Sequence, residues 1–306
     1  MVRVAVSTAV ALALSTLAMA LGTMHAPPAR DVRQPTTSQP ASNPPVTVAS
    51  PRQTKPPTSG PPHCRPLLMI AHRGHAEPGL TENTIASFDS ARRLGARAVE
   101  FDVHVNAEGR FVVMHDSTVD RTTDGHGWVS PMTTQQVRRL RTHAGQRVPF
   151  LVDALGWGKT HHQKLLLEIK YDTSRDWSRH DLTRLVAAVA GHGLTGQVTF
   201  FSLRAEYVRL IEHVAPRQHT AWIVDGRPNP HRAAAVDMVM MKAELVTTPV
   251  VRSLRQAGVL VTGRRNNDPR QVRRMAAAGA VGVVTDQLLP RIDPRVLTRL
   301  PCRRAH

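Results

Sequence analysis

Three short apolar runs of this 306-residue chain end in groups that can move protons or hold charge. The first leads into His72-Arg73-Gly74, the second carries Glu100 and Asp102, and the third closes on His115-Asp116. In the segment AVEFDV the two carboxylates are two positions apart. In a strand they share one face, and Phe101 and Val103 take the other. Carboxylates that close repel unless a cation sits between them, and hard oxygen ligands suit magnesium or calcium better than zinc. Imidazoles beside such a pair suit proton transfer near neutral pH. Farther on, LLLEIK repeats the spacing, with Glu168 and Lys170 on one face. Taken singly, each residue has a bland reading: a histidine as satisfied core, an acidic pair as solvated face, Glu168 as the ion partner of Lys170. The set is far more specific than any member.

The elements that must position these groups alternate between strand and helix. Strand candidates are 67–71, 98–103, 111–114, 165–169, 198–201, 220–224, 236–241, 259–262 and 280–285. That is nine, one more than a closed (β/α)8 barrel needs. The connection between the second and third is too short for a parallel crossover, which takes at least about a dozen residues. The third therefore folds back as a hairpin excursion at the barrel mouth, and eight parallel strands remain. Asn83 is placed to cap a helix bearing Ile85, Phe88 and Ala91, with Gly95 stopping it. Asp181 is placed to cap 182–191, and helices follow at 204–214, 249–257 and 269–278. In such barrels the chemistry lies at the carboxyl ends of the strands, where these polar groups fall.

The motifs HRG, ENT, VEFDV, EGRFVVMHD, DRTTDG and LLLEIK, in that order, resemble the glycerophosphodiester phosphodiesterase family, in its secreted bacterial form. The resemblance runs from about Leu67 to Asp286. It implies a TIM-type barrel and hydrolysis of glycerophosphodiesters to an alcohol and glycerol 3-phosphate. It also implies one divalent cation, Ca2+ or Mg2+, held by Glu100, Asp102 and Glu168. His72 and His115 match the family's catalytic histidines, and Arg73 and Lys170 are expected to hold the phosphate. The implied route passes through a cyclic phosphate, with the histidines exchanging acid and base roles. An exported lysophospholipase D or sphingomyelinase D-like enzyme on the same barrel is the alternative, and a non-catalytic binding module is disfavoured by the intact set. The chain departs from the family at VTGRRNNDP, where Arg264 and Arg265 replace an expected aromatic pattern and make that wall more basic. The stretch between His115 and Glu168 leaves no room for a sizeable capping domain.

Lys and Arg together number 40 against 23 Asp and Glu, a formal net charge of +17. Arginine dominates, which fits a coding bias and also attraction to an anionic cell-wall or membrane surface. Sparse aromatics and the lack of a zinc-finger or RNA-binding signature argue against specific nucleic-acid binding. The expected partner is a small-molecule or lipid-derived phosphodiester substrate, with no obligate protein partner. Residues 1–26 read as a signal peptide: Arg3, an apolar run, then Ala18-Met19-Ala20. The competing reading is a membrane anchor through residues 4–24. Residues 27–63 are a Pro/Thr/Ser-rich linker, and 64–306 form the barrel domain. Cys64 and Cys302 bracket that domain and are expected to pair in an exported protein.

Other polar residues near the site carry weaker expectations. His104 continues the Glu100–Asp102 face toward the rim, and His75 reads as a loop residue. Glu82 and Asn83 are placed to brace Arg73 or cap the helix, capping being enough for Asn83, and Asp116 to orient a turn or His115. Asp286 reads as a helix cap, and Trp222 as pocket floor or core.

Overall fold

The computed structural model describes residues 67–171 and 174–288. The expectations for residues 1–26, for the linker, and for Cys64 and Cys302 lie outside the described residues. Strand β1 (Leu68–His72) is followed by α1 (Ile85–Arg93), β2 (Ala98–Val105) and β3 (Phe111–Val113). Helices α2 (Thr134–Arg139) and α3 (Leu151–Thr160) lead to β4 (Lys164–Ile169). Units α4 (Arg179–Gly191), β5 (Val198–Ser202), α5 (Ala205–Val214) and β6 (His219–Val224) come next. The chain continues through α6 (Pro230–Ala233), β7 (Met238–Met241), a 3-10 turn at Ala243–Leu245, α7 (Thr248–Gln256), β8 (Leu260–Gly263), α8 (Pro269–Ala278) and β9 (Gly282–Thr285).

The sheet order is β1-β9-β8-β7-β6-β5-β4-β2-β3, and β1 also pairs with β2, which closes eight parallel strands into a barrel. β3 pairs antiparallel with β2, so the short connection makes the expected hairpin. Period-2 alternation divides the core. Ile70, Ala98, Leu166, Phe201, Ala221, Ile223, Met240 and Val284 fill the barrel interior. Val99, Phe101, Val103, Leu165, Leu167 and Ile169 face outward and pack under the helices. The faces that carry Ala98 and Leu166 therefore continue upward into Glu100, Asp102 and Glu168, directly above an apolar floor.

Helix ends differ from expectation in two places. Thr84, not Asn83, caps α1, through a bond from Ser87 N to its hydroxyl at 3.1 Å. Ser178, not Asp181, caps α4, and Asp181 completes the capping box by accepting from Ser178 N at 3.1 Å. In both cases the true cap is a hydroxyl three residues before its partner, and the residue assigned from sequence has other work. Helix α3 has a weak signal because Gly156 and Gly158 lie in its interior. A Cβ at Gly158 would meet Leu165 Cδ1 at 2.6 Å, so the glycine lets the helix lie close on β4.

The segment between β2 and α3 builds a small second core. Val112, Met114, Val119, Val129, Val137, Leu140, Val148 and Phe150 cluster there. Asn106 closes the hairpin turn, its side-chain oxygen accepting from Glu108 N and Arg110 N at 3.1 and 2.7 Å. Among the described residues, no helix is long and apolar enough to cross a membrane.

Candidate active site

Strand register places the acids. His72 pairs with Glu100 across β1 and β2, and Asp102 pairs with Glu168 across β2 and β4. One carboxylate oxygen from each of Glu100, Asp102 and Glu168 lies within 4.8 Å of the others. Glu100 and Asp102 are buried. Burial pushes Glu100 well above the usual carboxylate range, and the charges of Asp102 and Glu168 push it further. Glu168 rises to about 7, from burial and then from Asp102, against the pull of Lys170. Burial alone would also raise Asp102, but Lys170, Arg73 and His115 outweigh it and hold that carboxyl low. Asp102 Oδ1 is buried with no hydrogen-bond donor among the described residues, its nearest cation being Lys170 Nζ at 3.4 Å. An all-oxygen trio with an orphaned acceptor and mutual repulsion fits a hard divalent cation.

Two cations face the trio. Lys170 Nζ lies 3.0 Å from Glu168 Oε1, so the ion pair weighed as the bland alternative for Glu168 is also present. Arg73 donates its backbone N–H to Glu100 Oε2 at 2.9 Å, and its Nε lies 3.3 Å from Asp102 Oδ2. Glu82 braces it, accepting from Nη1 at 3.0 Å. Arg73 adopts a left-handed backbone with φ 57°. The conformation is uncommon for a residue with a side chain and is overdetermined here by its neighbours. One neighbour is Gly74, where a Cβ would come within 2.4 Å of Ser87 Oγ.

Asn83 also has φ 57° and clamps Asp102 from two sides. Its Nδ2 donates to Asp102 Oδ2 at 2.8 Å, and its Oδ1 accepts from Asp102 N at 3.2 Å. This corrects the reading of Asn83 as a helix cap: a buried carboxamide in the loop between β1 and α1 positions an acid on β2.

Each histidine is held by an aspartate. His72 Nδ1 lies 2.5 Å from Asp286 Oδ1, and His115 Nδ1 lies 2.6 Å from Asp116 Oδ1. Both carboxyls are held down to about 2. Burial opposes this at Asp116, but Arg121 and His115 prevail; at Asp286 burial is outweighed by His72, Asn267 and Arg265. An ionised carboxylate can only accept, so Nδ1–H donates and Nε2 is the atom left for a substrate. Burial, reinforced by Lys170 and Arg73, lowers His115 against the opposing pull of Asp102 and Asp116, which favours neutral imidazole.

Asp286 is thus no helix cap. It lies two residues past Val284, which faces the barrel interior, so the period that found Asp102 also points to Asp286. Asn267 fixes it, donating Nδ2 to Asp286 Oδ2 at 2.8 Å and accepting from Asp286 N at 2.9 Å. His104 is buried and not exposed at the rim, its Nε2 bonded to His115 O at 3.1 Å. His75 packs beside α1, with Nδ1 3.2 Å from Ser90 Oγ, and Trp222 is half-buried against the outer core. His72, Arg73, Ala76, Glu82, Arg265 and Asp286 line a cavity of about 80 Å3. Of the two basic residues at the end of β8, Arg265 therefore reaches the site, while Arg264 turns away to Asp225 at 3.0 Å.

Residues 72–289 match the profile of the glycerophosphoryl diester phosphodiesterase family, which is most of the chain. The chain belongs to this family. As a glycerophosphoryl diester phosphodiesterase family member it is a phosphoric diester hydrolase. It is 28% identical over 244 residues to the glycerophosphodiester phosphodiesterase of Caldanaerobacter subterraneus subsp. tengcongensis, a match covering 76% of this chain and 97% of the relative. It is 36% identical over 129 residues to human glycerophosphodiester phosphodiesterase 1, covering 36% and 38% of the two chains. Among solved structures, a Silicibacter pomeroyi glycerophosphoryl diester phosphodiesterase superposes with a TM-score of 0.66 at 23% identity, covering 77% of this chain and 95% of that one. An Oleispira antarctica phosphodiesterase in complex with the product sn-glycerol-3-phosphate superposes with a TM-score of 0.65 at 22% identity, covering 72% and 93%. These superpositions place the family's barrel on this chain.

Proposed function

We propose that this enzyme hydrolyses glycerophosphodiesters to an alcohol and glycerol 3-phosphate, with His72 and His115 exchanging protons above a cation site built by Glu100, Asp102 and Glu168. The observation that carries this reading is the pair of His–Asp units meeting at the strand ends that also present the three carboxylates. A bound divalent cation, Ca2+ or Mg2+, would supply Lewis acidity toward the phosphate and the bound hydroxyl. Arg73 and Lys170 bind the phosphoryl oxygens and offset charge as phosphorus becomes five-coordinate. One histidine takes the proton of the glycerol 2-hydroxyl as its oxygen bonds to phosphorus. The other donates a proton to the departing alcohol as the P–O bond to it breaks. Water then opens the cyclic phosphate with the two proton transfers reversed, which restores both histidines. Asp286 and Asp116 hold each imidazole in the tautomer these steps need and stabilise its charged form.

The lipid phosphodiesterase alternative is not favoured, because the curated relatives are glycerophosphodiester phosphodiesterases. The test is turnover of a panel of glycerophosphodiesters and lysolipids with and without chelator. Chelator is expected to abolish activity, and calcium or magnesium to restore it; full turnover in excess chelator would sink the cation site.

The same reading extends to the whole chain. Residues 1–26 direct export and are removed, 27–63 are a spacer, and 64–306 act outside the cell with Cys64 and Cys302 joined. The basic surface then favours anionic wall or membrane polymers. Mass spectrometry of unreduced secreted protein checks this: a mature chain that retains Met1, or two freely alkylated thiols, contradicts it.

A further inference from the structure

Resting on the phosphodiesterase reading above, we infer that Arg121 is a positioning residue that locks the proton-transfer group His115 and the phosphate-binding Arg73 into one geometry, through Asp116 on one side and Glu82 on the other. Arg121 Nε lies 2.5 Å from Asp116 Oδ2, and the other oxygen of that carboxylate holds His115 Nδ1 at 2.6 Å. Arg121 Nη2 donates to Glu82 Oε1 at 2.6 Å, the same oxygen that accepts from Arg73 Nη1 at 3.0 Å. One planar fork therefore spans two carboxylates, each already committed to a residue of the site. A lysine ammonium cannot present two donors in that fixed arrangement.

The arginine belongs to the DRTTDG motif, which the mechanism leaves without a role. Its backbone is fixed by the small core of the excursion. Val119 is fully buried, Thr123 Oγ1 donates to Val119 O at 2.7 Å, and Asp124 N donates to Arg141 O at 2.9 Å. Glu82 belongs to a different loop, the one between β1 and α1. A second tie joins the same two regions, since Gln146 accepts from Thr81 N at 3.0 Å and donates to Gly79 O at 2.8 Å. The guanidinium is about half exposed, with side-chain accessibility 49%, so as an isolated ion pair it would matter little. Its partners are more enclosed, at 19% for Glu82 and 29% for Asp116, and each passes the constraint inward.

The experiment is a double-mutant cycle on glycerophosphocholine with the full chain and saturating divalent cation. Arg121→Ala is expected to lower kcat by roughly 10- to 100-fold and to change KM by less than about threefold. Arg121→Lys should recover part of the loss. In a His115→Ala background the same Arg121→Ala change should cost clearly less than in the wild type, because the route through Asp116 is already cut and only the Glu82–Arg73 route remains. His126→Ala, on the exposed tip of the same loop, should leave turnover unchanged. If Arg121→Ala fails to fold, the cycle is run with Arg121→Lys. Near wild-type kcat for the arginine variants, or losses that multiply fully with His115→Ala, would overturn the inference alone. Wild-type protein without turnover on any glycerophosphodiester would overturn the phosphodiesterase reading and this inference with it.

Discussion

At the scale of the residue, the two histidines proposed to exchange protons hang from different supports. His72 leans on Asp286 from the opposite end of the domain, whereas His115 leans on its own neighbour Asp116. Replacing either histidine with alanine is expected to cut kcat by at least about 10²-fold, the low end of what a positioned acid or base contributes. Substrate binding should suffer far less, because Arg73 and Lys170 remain. His75→Ala is the contrast: that ring bonds Ser90 beside α1, so steady-state kinetics should barely move. Turnover near wild type in His72→Ala or His115→Ala would refute the proton-transfer roles. The seven candidate residues were legible because each sits at the end of an apolar run or two residues from another. Asn83 and Arg121 were not, because Asn83 bonds Asp102 on strand β2 and Arg121 bonds Glu82 in another loop, and no local pattern encodes bonds between segments so far apart in the chain. Asp286 carried a readable period that was assigned to the more frequent use of such an aspartate.

At the scale of the element, the nine strands were legible to within two residues at each end because buried strands, the eight parallel ones and the antiparallel β3 alike, read as apolar runs. The eighth helix was equally clear, opening at Asp268-Pro269 and closing on Gly279 with φ 97°. Helix α3 was missed for the reason that makes it fit, its glycines. Gly158→Val is therefore expected to force α3 away from Leu165 and destabilise the domain by about 1–3 kcal/mol, the usual range for overpacking. Denaturant unfolding measures this, with Gly156→Ala as comparison, since no atom lies within 4 Å of a Cβ there. Equal stability of the two variants would show that α3 has room to shift.

At the scale of the whole molecule, the two acids that hold His72 and His115 also link folding to pH. Asp116 and Asp286 bind protons more weakly in the fold, at about 2, than an aspartate does in an unfolded chain, near 3.9. Acid therefore favours the unfolded state. Their contribution is complete above about pH 4 and is lost as pH falls toward about 2. The denaturant midpoint should drop between about pH 5 and about pH 2.5, and the drop should be smaller in Asp116→Asn/Asp286→Asn. An unchanged slope in that double variant would assign acid sensitivity to other carboxylates.

The ring of strands is chemically lopsided. β1, β2 and β4, together with the segments after β3 and β9, supply all seven catalytic, cation-site and phosphate-binding candidates and their aspartate supports, while β5, β6 and β7 supply none of them. The loops that follow those three strands, including exposed Leu203, can accumulate substitutions without disturbing proton transfer or phosphate binding. A laboratory library aimed at a new headgroup would begin there, leaving the opposite arc as inherited.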